Sequence, residues 1–323
     1  MSSVARPEPA EAVETPSFVP SENERRADTL SPALVPLLRE LGDLKRTTSA
    51  GRTGSIATRL FLRAWGALAA GDDLSHVALK VTACALAATR LGDLDRVKLQ
   101  ELGLSRDEAV QVLARAFDEV AAPLDPALRA DLRAALMLDL LSGDPPAFAV
   151  QLAHQPRAGV TAPGLPRIML QPAENHAEHC LLVCVGGVLA APTYGADPAA
   201  VFGAGLAHHL HNAPMPDSGF AGEVLLGDHL DAVVATARDQ ALATLPAPLA
   251  TQARAWIAPI ADDRTPEARA FHAADVADRV LEIDAHLARA RVTMRTVIGE
   301  YELVHAGPVK PFHDRVLAEL RLP

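Results

Sequence analysis

The chain has 323 residues, 49% of them apolar, with a formal net charge of −10. That length fits one large domain or two ordinary ones, and the apolar share excludes wholesale disorder. The acidic balance excludes a general nucleic-acid binder, which needs a basic patch to displace counterions from phosphates.

Aromatics make up only 4%, and Ala and Leu carry most of the apolar content. These are the best helix formers, whereas β-branched and aromatic residues favour sheets, so an all-α fold is expected. The three cysteines, Cys84, Cys180 and Cys184, are too few for a disulfide framework, and a reducing cytoplasm is the expected location. The N-terminus has no apolar signal core, and the longest apolar run, Cys180 to Pro192, is too short to span a bilayer, so no membrane partner is expected.

In chain order, residues 1–28 are rich in Pro, Glu and Ser and read as a disordered lead-in. A helical N-terminal region spans 29–155. Leu34, Leu37, Leu38 and Leu41 recur at three- and four-residue spacings. Ile56 to Ala70 and Val77 to Arg90 predict two further helices. Ser105-Arg-Asp-Glu is a capping-box signature for the next, and Pro126 to Leu141 predicts another. None of these carries candidate chemistry. The stretch 156–168, with Pro156, Gly159, Pro163, Gly164 and Pro166, reads as a linker.

The remainder, 169–323, also reads as helical. Helices are predicted from about Glu174 to Ala191, from the Asp197-Pro cap to about Leu210, from Gly222 to Arg238 and from Thr265 to Arg291. A less regular stretch, Val292 to Val304, and a final short helix follow. Of twelve histidines only His76 and His154 precede residue 160, which places the chemistry in this half. Three groups stand out: Asn175-His-Ala-Glu-His179, His208-His209-Leu-His211-Asn212 and His272-Ala-Ala-Asp275. Imidazoles and a carboxylate arriving from several rigid elements are what a divalent transition metal requires.

These groups, in this order and at these separations, resemble the HD superfamily of metal-dependent phosphohydrolases, and within it the bacterial 5′-deoxynucleotidase branch. The likeness covers about residues 170–290. It implies an HD-like multi-helix domain with one divalent transition metal (Mn, Co, Fe, Zn or Mg) held by His179, His208 and Asp275. His209 stands where the family has Asp, and is a substitute ligand. Asn212 stands where the nucleotidase branch has a Glu that assists the attacking water, and an amide cannot act as a base. His211 and Glu223 are the nearest replacements. Asp217 matches a further acidic position of that branch.

His272, Asn212 and Lys310 are candidate substrate contacts, Lys310 as a point charge for phosphate on one of only four lysines. The implied partner is a small phosphorylated molecule, with nucleotides among the candidates, and a homodimer is a further expectation. A catalytically silent HD-like binding or scaffold protein is the alternative, because His209 and Asn212 replace two functional residues. An HD-fold iron oxygenase ranks third, on histidine richness. Outside the set, His176 is expected behind the ligands or at the surface, Cys180 and Cys184 as buried small hydrophobes, and His229 in solvent. His313-Asp314 is read as a decoy pair.

Overall fold

A computed structural model describes residues 29–139, 141–287 and 293–323. The expected lead-in, 1–28, and the end of the helix predicted to Arg291 lie outside the described residues. Among the described residues the protein is all-α, with no strand and only isolated bridges such as Val160 with Ile168.

In the N-terminal half, α1 (Val35–Gly42), α2 (Ile56–Ala70), α3 (Leu74–Leu91), α4 (Arg96–Glu101), α5 (Arg106–Val120), α6 (Pro126–Ala135) and α7 (Ala147–His154) follow one another. Side-chain caps set the starts of many of them. Ser55 caps α2, Asp73 caps α3, and Ser105 with Glu108 forms the predicted capping box of α5. The helix predicted from Pro126 to Leu141 stops at Ala135. The buried Lys80 ammonium of α3 draws the carbonyls of Ala135, Leu136 and Leu138 to itself, at 3.2, 3.0 and 3.0 Å, and so satisfies the end of α6 from outside.

The second half comprises α8 (His176–Tyr194), α9 (Pro198–Ala207), α10 (Gly219–Leu226), α11 (Leu230–Leu242), α12 (Ala247–Ile257), α13 (Pro266–Leu287), α14 (Met294–Gly299) and α15 (Lys310–Glu319). The single helix expected over Gly222 to Arg238 is two, because Gly227, at φ 51°, breaks it before a short 3₁₀ turn.

Helix α8 runs through the middle of the molecule. Its length and composition would suffice to cross a membrane, but most of it is buried among other helices, so its apolar surface is accounted for by the core. Helix α13 lies along one side, α9 along another, and α2 and α3 come from the first half. Residues on both sides of 156–168 therefore share one apolar core, from Leu41, Phe61 and Trp65 to Val188, Phe202 and Val280. The segment 156–168 changes the local structure without dividing the packing.

Close approach of α8 and α9 needs a glycine. A Cβ on Gly205 would meet the Cys184 backbone nitrogen and Sγ at 2.9 Å. This contact lays α9 directly on α8 and delivers His208, at the end of α9, beside the first turn of α8.

Candidate metal centre

The first turn of α8 is held by a capping box. Asn175 Oδ1 accepts from Glu178 N at 2.9 Å, and Glu178 Oε2 accepts from Asn175 N at 3.0 Å. Glu178 also accepts from Ser55 Oγ at 2.6 Å, which ties this turn to the start of α2. His179 emerges here, fully buried. Its Nδ1 donates to Asp278 Oδ2 at 2.7 Å. Its Nε2 lies 3.2 Å from His208 Nε2 and 3.2 Å from Asp275 Oδ1.

His208 and His209 are oriented in the same way. His208 Nδ1 donates to the Gly205 carbonyl at 2.7 Å. His209 Nδ1 donates to Asn212 Oδ1 at 2.8 Å, while Asn212 Nδ2 donates to the Met215 carbonyl at 3.4 Å, which fixes the amide's orientation. With Nδ1–H as the donor in these three hydrogen bonds, Nε2 is the ring nitrogen that a neutral imidazole would present to a metal. Ligand atoms of the three imidazoles lie within 4.8 Å of one another. Burial, and then the neighbouring imidazoles, push His208 down to about 3 and His209 well below the ordinary histidine value, so both are neutral near pH 7. Burial would raise Asp275, but the His179 ring beside it and the Arg279 guanidinium hold it well below the usual carboxylate range.

This donor set fits a divalent ion. Ligand nitrogens about 2.1 Å from one ion stand roughly 3 Å from each other, as His179 and His208 do. Each ligand's Nδ1–H is anchored by a carboxylate, a backbone carbonyl or an amide, which is the outer-shell arrangement that sets tautomer and ring orientation in metal sites.

His208, His209 and Asp275 line a cavity of about 330 Å³. Arg157 and Arg279 also line it, as do Asp217 and Glu223. Arg157 Nη1 donates to His209 Nε2 at 3.4 Å. Arg279 follows Asp275 by one turn of α13, and its Nη2 donates to the Leu303 carbonyl at 3.2 Å. Asp217 accepts from Ala158 N and Gly219 N, both at 2.8 Å, and lies 3.5 Å from His176 Nε2. Burial and then Asp217 raise Glu223. Phe220 and His305 stack face to face on the same cavity, with ring centroids 4.4 Å apart.

Of the residues singled out in the sequence, His179, His208, His209 and Asp275 come together, and Asp217 and Glu223 join them on the cavity. Asn212 also reaches the lining, but its amide is committed to orienting His209. His211 is not among the residues lining the cavity; its ring lies 5.7 Å from that of His209, and burial pushes it down to about 4. His272 turns toward the Ile260 carbonyl at 3.1 Å, away from the lining. Lys310 pairs with Asp314 on α15, four residues along, so its charge is engaged at the surface and outside this cavity. His176 is buried behind the ligands, and His229 is exposed. Cys180 and Cys184 are fully buried, their thiols raised by burial.

Sequence reasoning passed over Arg157, Arg279, Asp278, Glu174 and Lys45. For the α13 residues a signal existed: Asp275, Asp278, Glu282 and His286 recur at three- and four-residue steps, with Arg279 four residues after Asp275, a charged stripe along the helix. Arg157 sits in the Pro- and Gly-rich segment, where nothing local distinguishes it from a loop arginine.

Comparison with known proteins adds no relative: no family model, no curated protein and no solved structure matches the chain.

Proposed function

We propose that the protein is a metal-dependent phosphohydrolase of HD type acting on a small phosphate ester, with nucleotides among the candidate substrates. The observation that carries this reading is the clustering of three imidazoles with Asp275, of which His208, His209 and Asp275 line a cavity that also holds two arginines. His179, His208, His209 and Asp275 would hold the ion. Three neutral nitrogens and one carboxylate favour Fe, Co or Zn over Mg, which prefers oxygen. When bound, the ion supplies Lewis acidity and lowers the pKa of water at this point of the cavity.

The chain's own groups supply the rest. Arg157 and Arg279 bind and orient the phosphate dianion, and their planar donor forks suit its oxygens. Glu223, with its proton affinity raised by burial and by Asp217, handles the proton in place of the Glu that Asn212 displaces. Asp217, pinned by two backbone N–H groups, is a fixed acceptor for a substrate hydroxyl.

The test is phosphate release from nucleoside monophosphates, sugar phosphates and an aryl phosphate, with the full chain loaded in turn with Fe, Co, Zn, Mn or Mg. Metal-dependent turnover that His208→Ala and Asp275→Asn reduce at least a hundredfold is expected. No release with any metal, in a protein shown to bind one, would refute the enzyme reading and leave a silent binding protein.

A further inference from the structure

The metal centre reaches into the first half of the chain. Lys45 lies on the 3₁₀ turn Asp43–Lys45 that follows α1, and its side chain is almost completely buried. Its Nζ stands 2.5 Å from Glu174 Oε1, 2.7 Å from Asp278 Oδ1 and 3.4 Å from Glu282 Oε2. Asp278 thus accepts on both oxygens, from Lys45 on Oδ1 and from His179 Nδ1 on Oδ2. Glu282 is in turn paired with Arg46 and with His286. Glu174, His179 and Asp278 alone would form a second cluster able to hold a cation; the ammonium already lies among those carboxylates.

A carboxylate with two acceptor oxygens can rotate, and one left with a single partner can turn away from the imidazole. Lys45 removes that freedom. It also draws electron density from Asp278, which limits how basic the carboxylate makes the ligand ring. We propose that Lys45 is a positioning residue of the metal centre. Held among Glu174, Asp278 and Glu282, it fixes Asp278 so that His179 keeps its proton on Nδ1 and turns Nε2 toward His208 and Asp275. This rests on the metal-centre reading above, but the tautomer of His179 is a property of the metal-free protein and is measured without the ion.

The experiment compares full-length wild type with Lys45→Met combined with Glu174→Gln, a pair that removes one positive and one negative charge and so leaves the net charge of the nest unchanged. Lys45→Gln, which keeps a donor in the nest but no charge, is the second variant should the first not fold. Circular dichroism establishes folding. Imidazole ¹⁵N shifts at neutral pH report the tautomer, and titration with Co(II) reports affinity.

Wild type is expected to show His179 as a single tautomer with unprotonated Nε2. The variants are expected to show mixed tautomers and Co(II) affinity lower by about 10- to 100-fold, the usual cost of losing an outer-shell partner. Lys45→Arg restores part of both. A folded variant with the wild-type tautomer overturns the proposal whatever its metal affinity. Failure of wild type to bind Co(II), with the tautomer still dependent on Lys45, refutes the metal centre and leaves the positioning role standing.

Discussion

Two lysines are buried in the first half of the chain, and their surroundings are opposite. Lys45 faces three carboxylates, whereas Lys80 faces three backbone carbonyls and has Arg96 and Arg106 nearby. Burial alone would lower both. For Lys45 the charges of Asp278, Glu174 and Glu282 outweigh it and raise the ammonium above the ordinary lysine value. For Lys80 burial prevails and the ammonium is lowered. The same residue type thus ends a helix in one place and borders a candidate metal centre in the other. What decides its role is the partner, which local sequence does not reveal.

Acid should divide the two regions most strongly. Burial pushes His176, His211 and His313 down to about 4 and His208 to about 3. Their folded values lie below the unfolded one, so the unfolded chain binds more protons below pH 6.5. Stability is therefore lost as pH falls from 6.5 toward 4, by about 1 kcal/mol per imidazole at pH 5.5. Hydrogen exchange of the metal-free protein should show α8 and α13 losing protection before α5 and α6. Simultaneous loss everywhere would erase the distinction.

The next largest effect is expected from Lys45→Met alone, which leaves carboxylates unpaired in the interior and should cost about 3–5 kcal/mol. Lys80→Met leaves carbonyl acceptors without their donor, at about 1–3 kcal/mol. Denaturant titration measures both. The sharper contrast is in metal affinity, which Lys80→Met should leave unchanged. A tenfold loss in that variant would mean that general packing, not the carboxylate nest, supports the centre.

Gly205→Ala should cost about 1–3 kcal/mol by overpacking and should also weaken Co(II) binding, because α9 must shift away from Cys184 and carry His208 with it. The smallest effect belongs to Lys310→Ala. Its partner Asp314 is exposed on the same helix, and such pairs contribute about 0.3–0.5 kcal/mol. Turnover should be unchanged, and a clear rise in KM would place Lys310 at the substrate after all.

The four residues of the candidate metal centre were legible because the histidines stand out against the apolar composition and because Asn175, Asp197 and Pro266 mark the starts of the helices that carry or deliver them. The all-α class followed from Ala and Leu. Lys45 was illegible for a physical reason: its three partners are fixed by tertiary packing of α1 against α13 and by the segment leading into α8, and no local period links them. Arg157 was hidden in the same way, because a loop's direction is set by what it packs on. Short helices such as α4 and α7 left too few residues for a period to emerge.

Gly205 does two things at once. The absence of its side chain admits α9 against α8, and its carbonyl is the group that steadies the His208 ring. Anyone transplanting this cluster into another bundle would have to carry that residue along with His179, His208, His209 and Asp275. A graft of those four side chains alone, onto a scaffold with an ordinary side chain at that point, would inherit the right atoms at the wrong spacing.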